Sequence, residues 1–299
     1  MSTDDKLEAF IGTDPAVDLS DLVEFVYEGD DGWGMPPVER LTERGPNQHG
    51  VSDRGFRLLP RILHLRVAGF GANSSGYWDA RERLIALFAP RDEPVRLRRT
   101  YGGGRVRQVD VHYLDGLGMS SADKLGHAQR GVIQLMAADP LLYDPTLQSV
   151  TFGLAGGGGA FAVPMAVPHG VGASTIDQTQ TLSYTGTFRE SPVIIVRGPI
   201  TDWLIQNVTT GEVLQAVAGH TIAAGVEYTI DTRYGAQTVV DGSGTRQIAN
   251  LTDASDIETF HLAAHPDAPS GANDLRVTGS GVTTATQVFI QYYRRFLGQ

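Results

Sequence analysis

The sequence contains no cysteine, which excludes disulfide staples and thiolate-bound zinc. Lysine is nearly absent: of 24 basic residues only Lys6 and Lys124 are lysines, and the other 22 are arginines. A phosphate-cradling loop needs lysine directly after glycine, but Lys6 follows Asp5 and Lys124 follows Asp123, so that motif is excluded. No apolar run reaches the ~18 residues that a membrane-crossing helix requires, and no membrane insertion is expected. Residues 1–15, MSTDDKLEAFIGTDP, lack the apolar centre of a secretory signal, so none is expected. The sequons at Asn73, Asn207 and Asn250 therefore carry no expectation of glycosylation. Gly242/Gly244 and Gly279/Gly281 lack the third glycine and the following helix of a dinucleotide fingerprint.

What is present is a chain of 299 residues with 36 glycines and 41% hydrophobic content. The length suggests about two domains. The glycine content and the short alternating apolar segments predict a mainly β protein. The net charge of −10 argues against a general nucleic-acid binder. That charge is unevenly spread: residues 1–31 hold ten acids and one lysine, whereas residues 54–107 hold twelve arginines and four acids. Opposite poles in one chain fit head-to-tail association of copies. They equally fit pairing within one subunit.

Apolar spacing predicts strands over Leu19–Tyr27, Arg57–Ala68 and Gln129–Ala138, with Leu63, Leu65 and Val67 on one face. Val95–Tyr101 and Arg105–Leu114, joined by Gly102–Gly104, read as a hairpin. Glu39–Gly50 is polar, punctuated by Gly45-Pro46, and reads as a loop. One helix is predicted over Tyr77–Ala89, capped by Ser74 or Ser75 and stopped by Pro90, with Trp78, Leu84, Ile85 and Phe88 as its apolar stripe. Gly156–Gly159 forms neither helix nor strand readily and marks a boundary. The expected division is a first domain over 1–155, a connecting segment over 156–189 and a β-sandwich over 190–299. Within the sandwich, Pro192–Arg197 reads as a strand buried on both faces.

No constellation of side chains points to catalysis. His261 and His265 have a helical zinc spacing, yet the segment around them reads as a strand running into Pro266. Asp110 and His112 share a strand face without a nucleophile elbow. The acid pairs Asp30/Asp31 and Asp253/Asp256 read as solvated charge rather than a hydrolytic pair. An enzyme is not expected, nor a metal or other cofactor. The arginine run Arg96, Arg98, Arg99, Arg105 and Arg107 suits phosphate contacts or docking on an acidic surface. With Asp30 and Asp31 it forms a candidate interface between copies, favoured because an acidic segment lies in the same chain.

The order of motifs resembles siphovirus distal tail proteins. Gly34-Met35-Pro36-Pro37 is followed by Glu43-Arg44-Gly45-Pro46-Asn47-Gln48-His49-Gly50, then by an LHLRV strand, the WDARERLIALFAP helix, the arginine-rich hairpin and Tyr113–Leu117. Gln134–Pro145 is similar to the end of that family's barrel, and NVTTGE, IAAGVEYTIDT and VFIQYYRRF to its appended domain. The resemblance implies a split-barrel-like N-terminal β domain with one helix and a galectin-like or jelly-roll C-terminal sandwich. It implies a homo-hexameric ring at the distal end of a phage tail, in the virion, assembled in the host cytoplasm. The ring would join the tail tube to the tail-tip hub or baseplate, with the tape measure protein as a further partner and DNA only in transit. A galectin-like domain raises an alternative, a receptor- or carbohydrate-binding tail protein. Its sugar platform would use Trp203, Tyr228 and Tyr234, although alternation along the strand places Trp203 in the core. The acidic arm over 1–31 departs from the family pattern.

Overall fold

The structure, a computed structural model, describes residues 5–120, 124–153 and 174–299. The Gly156–Gly159 boundary lies outside these residues. The first compact unit is Met1–Pro145 together with Phe296–Gln299, and the second is Thr146–Arg295.

The first unit runs β1 (Lys6–Ile11), β2 (Val17–Asp18), β3 (Phe25–Asp31), β4 (Val38–Glu43), β5 (Ser52–Leu58), β6 (Arg61–Phe70), α1 (Ser74–Leu87), β7 (Val95–Tyr101), β8 (Arg105–Gly116), β9 (Lys124–Leu125), β10 (Ala128–Ala137) and β11 (Leu142–Tyr143). Its main sheet has the order β2-β1-β7-β8-β10-β6-β3. The longest ladder is antiparallel, from Ala128 opposite Phe70 to Ala137 opposite Arg61. Leu63, Leu65, Val67, Leu97, Val109, Val111, Ile133 and Leu135 fill the core from this sheet. That is the face the period-two pattern selects.

Three local expectations change. The polar stretch read as a loop is an arm: β4 and β5 pair with one another and, among the described residues, with no other strand. The first long strand starts at Phe25 rather than Leu19. The Asp21 carboxylate accepts the N–H groups of Val23, Glu24 and Phe25, and Leu22 takes a φ of 59°, so the chain turns there. The helix is capped by Asn73, whose side chain accepts from the Gly76 N–H. It buries Tyr77, Ala80, Leu84 and Leu87 and leaves Trp78 46% and Ile85 42% exposed. Two apolar stripes compete on this helix, and the one carrying Ala80 approaches the sheet. Trp78 stays outside between the Arg81 and Lys124 side chains.

The second unit runs β12 (Gln148–Gly153), β13 (Thr175–Ser183), β14 (Val193–Arg197), β15 (Ile200–Asn207), β16 (Val213–Gln215), β17 (Thr221–Ile222), β18 (Glu227–Asp231), β19 (Thr238–Asp241), β20 (Ala272–Ser280) and β21 (Gln287–Tyr292). It is a β-sandwich of two sheets, β12-β21-β14-β18-β19 and β13-β20-β15-β16, with β17 on β15. β12 and β13 thus belong to the sandwich, whereas the sequence division put them in the first domain and the connecting segment. β14 is buried on one face only, through Ile194 and Val196. Along one side the sheets are linked by side chains: Gln178 donates to the Gly153 carbonyl at 2.9 Å and Gln180 to the Thr151 carbonyl at 3.0 Å. The chain re-enters the first unit at the end of β22 (Arg295–Phe296), which pairs with β11.

Candidate functional site

The charged poles meet inside one chain. β1, from the acidic segment, pairs with β7, from the basic one, so that Glu8 lies opposite Arg98. Arg99 donates to both carboxylate oxygens of Asp30, at 2.7 and 2.6 Å, with both side chains largely buried. Arg99 also lies over the rings of Tyr27, Trp33 and Tyr101. Burial pushes the Tyr101 hydroxyl up to about 12. Arg96 donates to Asp110 at 2.9 Å and lies over Tyr143, whose hydroxyl donates to the same carboxylate. Arg98 lies 4.4 Å over Phe10. In the amide orientation that satisfies both groups, Gln108 accepts from Arg98 as well. Arg107 is buried 3.5 Å over the Phe296 ring. Arg105 is exposed at the hairpin tip, where Tyr101, Gly102, Gly103 and Gln299 line a cleft with it. Asp31 is exposed, its carboxylate accepting the Gly32 N–H. Of the seven candidate interface residues, Arg96, Arg105 and Asp31 are exposed, and Arg96 is paired with Asp110.

The arm presents a different surface. Met35, Val38, Val51, Phe56 and Leu59 are exposed along it and its base. Its charges satisfy one another: Arg40–Asp53, Arg54–Glu43 and Arg57–Glu39 pair across the two strands. Its tip is locked by Gln48, which accepts from the Gly45 N–H and donates to Ser52. The motif Glu43–Gly50 is therefore the turn of this arm.

At the arm's base lies a group that sequence reasoning missed. Arg61 is 1% exposed, and its guanidinium meets only carbonyls: those of Gly32 and Gly34 at 2.5 Å, Pro140 at 2.7 Å and Leu297 at 2.8 Å. Burial pulls it down to about 10, still charged at neutral pH. Gly32 is required here, since a Cβ at its φ of 99° would come within 2.2 Å of the Ile62 carbonyl. No pattern in the sequence distinguishes Arg61 from its neighbours.

In the sandwich, Trp203 is 1% exposed inside the core and Tyr228 is also buried, so of the sugar-platform candidates only Tyr234, at 98%, offers a face to solvent. His261 lies on an extended segment, hydrogen-bonded through its ring to Glu212 and the Thr259 carbonyl. Asp256 accepts the Val213 N–H, and Asn207 is fully buried. Among the described residues no group of three His, Asp or Glu side chains has a metal-binding arrangement.

These units define a class: a mainly β, two-unit protein with one helix, a free hairpin arm and a sandwich inserted before the closing residues of the first unit. No protein-family model matches the chain, and no curated protein matches it. Solved structures do. The chain is similar to the Dit protein of phage SPP1, described as a paradigm of the hub adsorption apparatus in phages infecting Gram-positive bacteria. The TM-score is 0.64 at 16% identity, over 97% of this chain and 99% of that one. It is also similar to a chain of the phage P2 baseplate in its activated conformation with calcium, with a TM-score of 0.51 at 10% identity over 97% and 98%. At these identities the likeness establishes the fold.

Proposed function

We propose that this chain is a structural, ring-forming subunit of a phage tail tip. The observation that carries the reading is the fold shared end to end with a tail hub protein, through both units and at nearly equal length. The arm supports it. An isolated two-stranded hairpin is marginal in water, and this one carries exposed apolar side chains whose natural cover is the next copy around a ring. Six copies would close around a channel through which DNA passes. The ring would bind the tail tube on one side and the hub or baseplate on the other, with the tape measure protein as a further partner, all within the virion. The product of this assembly is geometry, and the reading assigns it no reaction and no cofactor.

Light scattering and electron microscopy of the purified chain test the reading. A six-fold ring with a central opening is expected; a monomer at every concentration, and within the particle, would overturn it. The adhesin alternative rests on Tyr234, and a glycan array with the whole chain, compared with Tyr234→Ala, decides whether that tyrosine binds sugar.

A further inference from the structure

Phe296–Gln299 follows the whole sandwich in sequence yet belongs to the first unit. It is held there at successive positions. Phe296 is 8% exposed within that unit's core, with the Arg107 guanidinium stacked on its ring. The Leu297 carbonyl accepts from buried Arg61. Gly298 packs against the backbone of Gly34. The Gln299 N–H donates to the Trp33 carbonyl at 3.2 Å. Arg61 and residues 32–34 therefore reach their native arrangement only with this segment in place. Without it, a buried guanidinium loses one of four acceptors and Phe296 leaves a hole in the core, each a large cost.

We propose that Phe296–Gln299 is a closing strap that completes the first unit only after the sandwich has been synthesised, and so delays assembly until the chain carries both units. The second half of this statement rests on the ring reading; the first does not. Chains emerge and fold from the N-terminal end during synthesis, so residues 1–145 wait for a segment some 150 positions later. The loop bearing Trp33 and the base of the arm stay unlocked until then. The chemistry of the strap is an aromatic plug followed by backbone acceptor and donor groups, and its receptor is built from β6, β8 and the Gly32–Gly34 loop.

Full-length protein, a variant ending at Arg295 and the substitution Phe296→Asp are compared by hydrogen exchange with peptide resolution. Both variants are expected to lose protection at least tenfold in residues 25–34 and 61–70, with the sandwich peptides unchanged, and to yield no ring. Unchanged protection in the first unit overturns the proposal. Loss of protection in both units also overturns it, because the strap would then serve the whole chain. If the full-length protein makes no ring while the exchange result holds, the ring reading fails and the strap remains.

Discussion

Arg61 shows how one side chain can organise a unit without a carboxylate partner. Its four carbonyl acceptors come from three separated stretches of chain. A planar fork with five donors meets such a set where lysine, a point charge with three, would not. Replacing it by methionine keeps the bulk but strands those carbonyls. Each buried orphan costs roughly 1–3 kcal/mol, so Arg61→Met is expected to destabilise the first unit by about 3 kcal/mol or more, read from urea unfolding followed by Trp33 fluorescence. A second residue pair makes a pH prediction. Burial is the largest single influence and works against charge on His261, but the Glu212 hydrogen bond and charge and the Thr259 carbonyl together outweigh it and raise the imidazole above 6.5, with Arg189 opposing weakly. Burial likewise opposes the Glu212 charge, and the His261 and Thr210 donors outweigh it, holding the carboxyl below 4.5. The His261 contribution is complete below pH 6.5 and fades as pH rises through its higher folded value. The Glu212 contribution is complete above pH 4.5 and fades below it. Glu212→Gln should therefore cost the sandwich more at pH 6 than at pH 8. A charge-assisted bond suggests about 1.5–3 kcal/mol at the lower pH, and equal costs at both would remove the histidine from the account.

At the scale of elements, α1 separates what spacing predicts from what packing decides. Leu84 faces the core and Trp78 faces solvent. Leu84→Ala is expected to cost about 2–5 kcal/mol and Trp78→Ala less than ~1 kcal/mol, by thermal unfolding of each variant. The reverse order would put Trp78 rather than Leu84 against the core. Of the stripe read from the sequence, Leu84 and Phe88 are buried while Trp78 and Ile85 are exposed, because the helix has two apolar faces and only the tertiary fit of Ala80 chooses between them. Other elements were legible for a plain reason. Leu63, Leu65, Val67 and the Gly102–Gly104 hairpin announce themselves through period-two burial and a turn that needs glycine, with Gly103 and Gly104 both at positive φ. The β4–β5 arm was not legible, because an exposed ribbon lacks a buried face and its sequence is as polar as a loop. Nor was the strap, since its partners lie more than 150 residues upstream. Trp203 fell where alternation put it. Gln178 and Gln180 were invisible as sheet links, because a glutamine facing inward matters only through the carbonyl it meets.

At the scale of the whole molecule, the proposed ring raises the question of what would drive copies together once the charged poles have found each other within the chain. Asp30–Arg99, Arg96–Asp110 and Arg83–Glu24 are intramolecular pairs, so the positive segment has fewer charges left to offer a neighbour. The arm, by contrast, offers aliphatic and aromatic side chains whose burial strengthens rather than weakens as salt rises. Exposed ion pairs are screened at 1 M salt, where the Debye length is about 3 Å. The oligomer should accordingly keep its mass between 0.05 and 1 M sodium chloride, as measured by sedimentation (~20-fold in ionic strength). The double variant Val38→Asp with Phe56→Asp should fall apart in both, with the sandwich still folded. A salt-labile oligomer that tolerates the arm variant would shift the contact to exposed charges of the candidate set such as Arg105 and Asp31, and Arg105→Glu would then dissociate it where the arm variant had not.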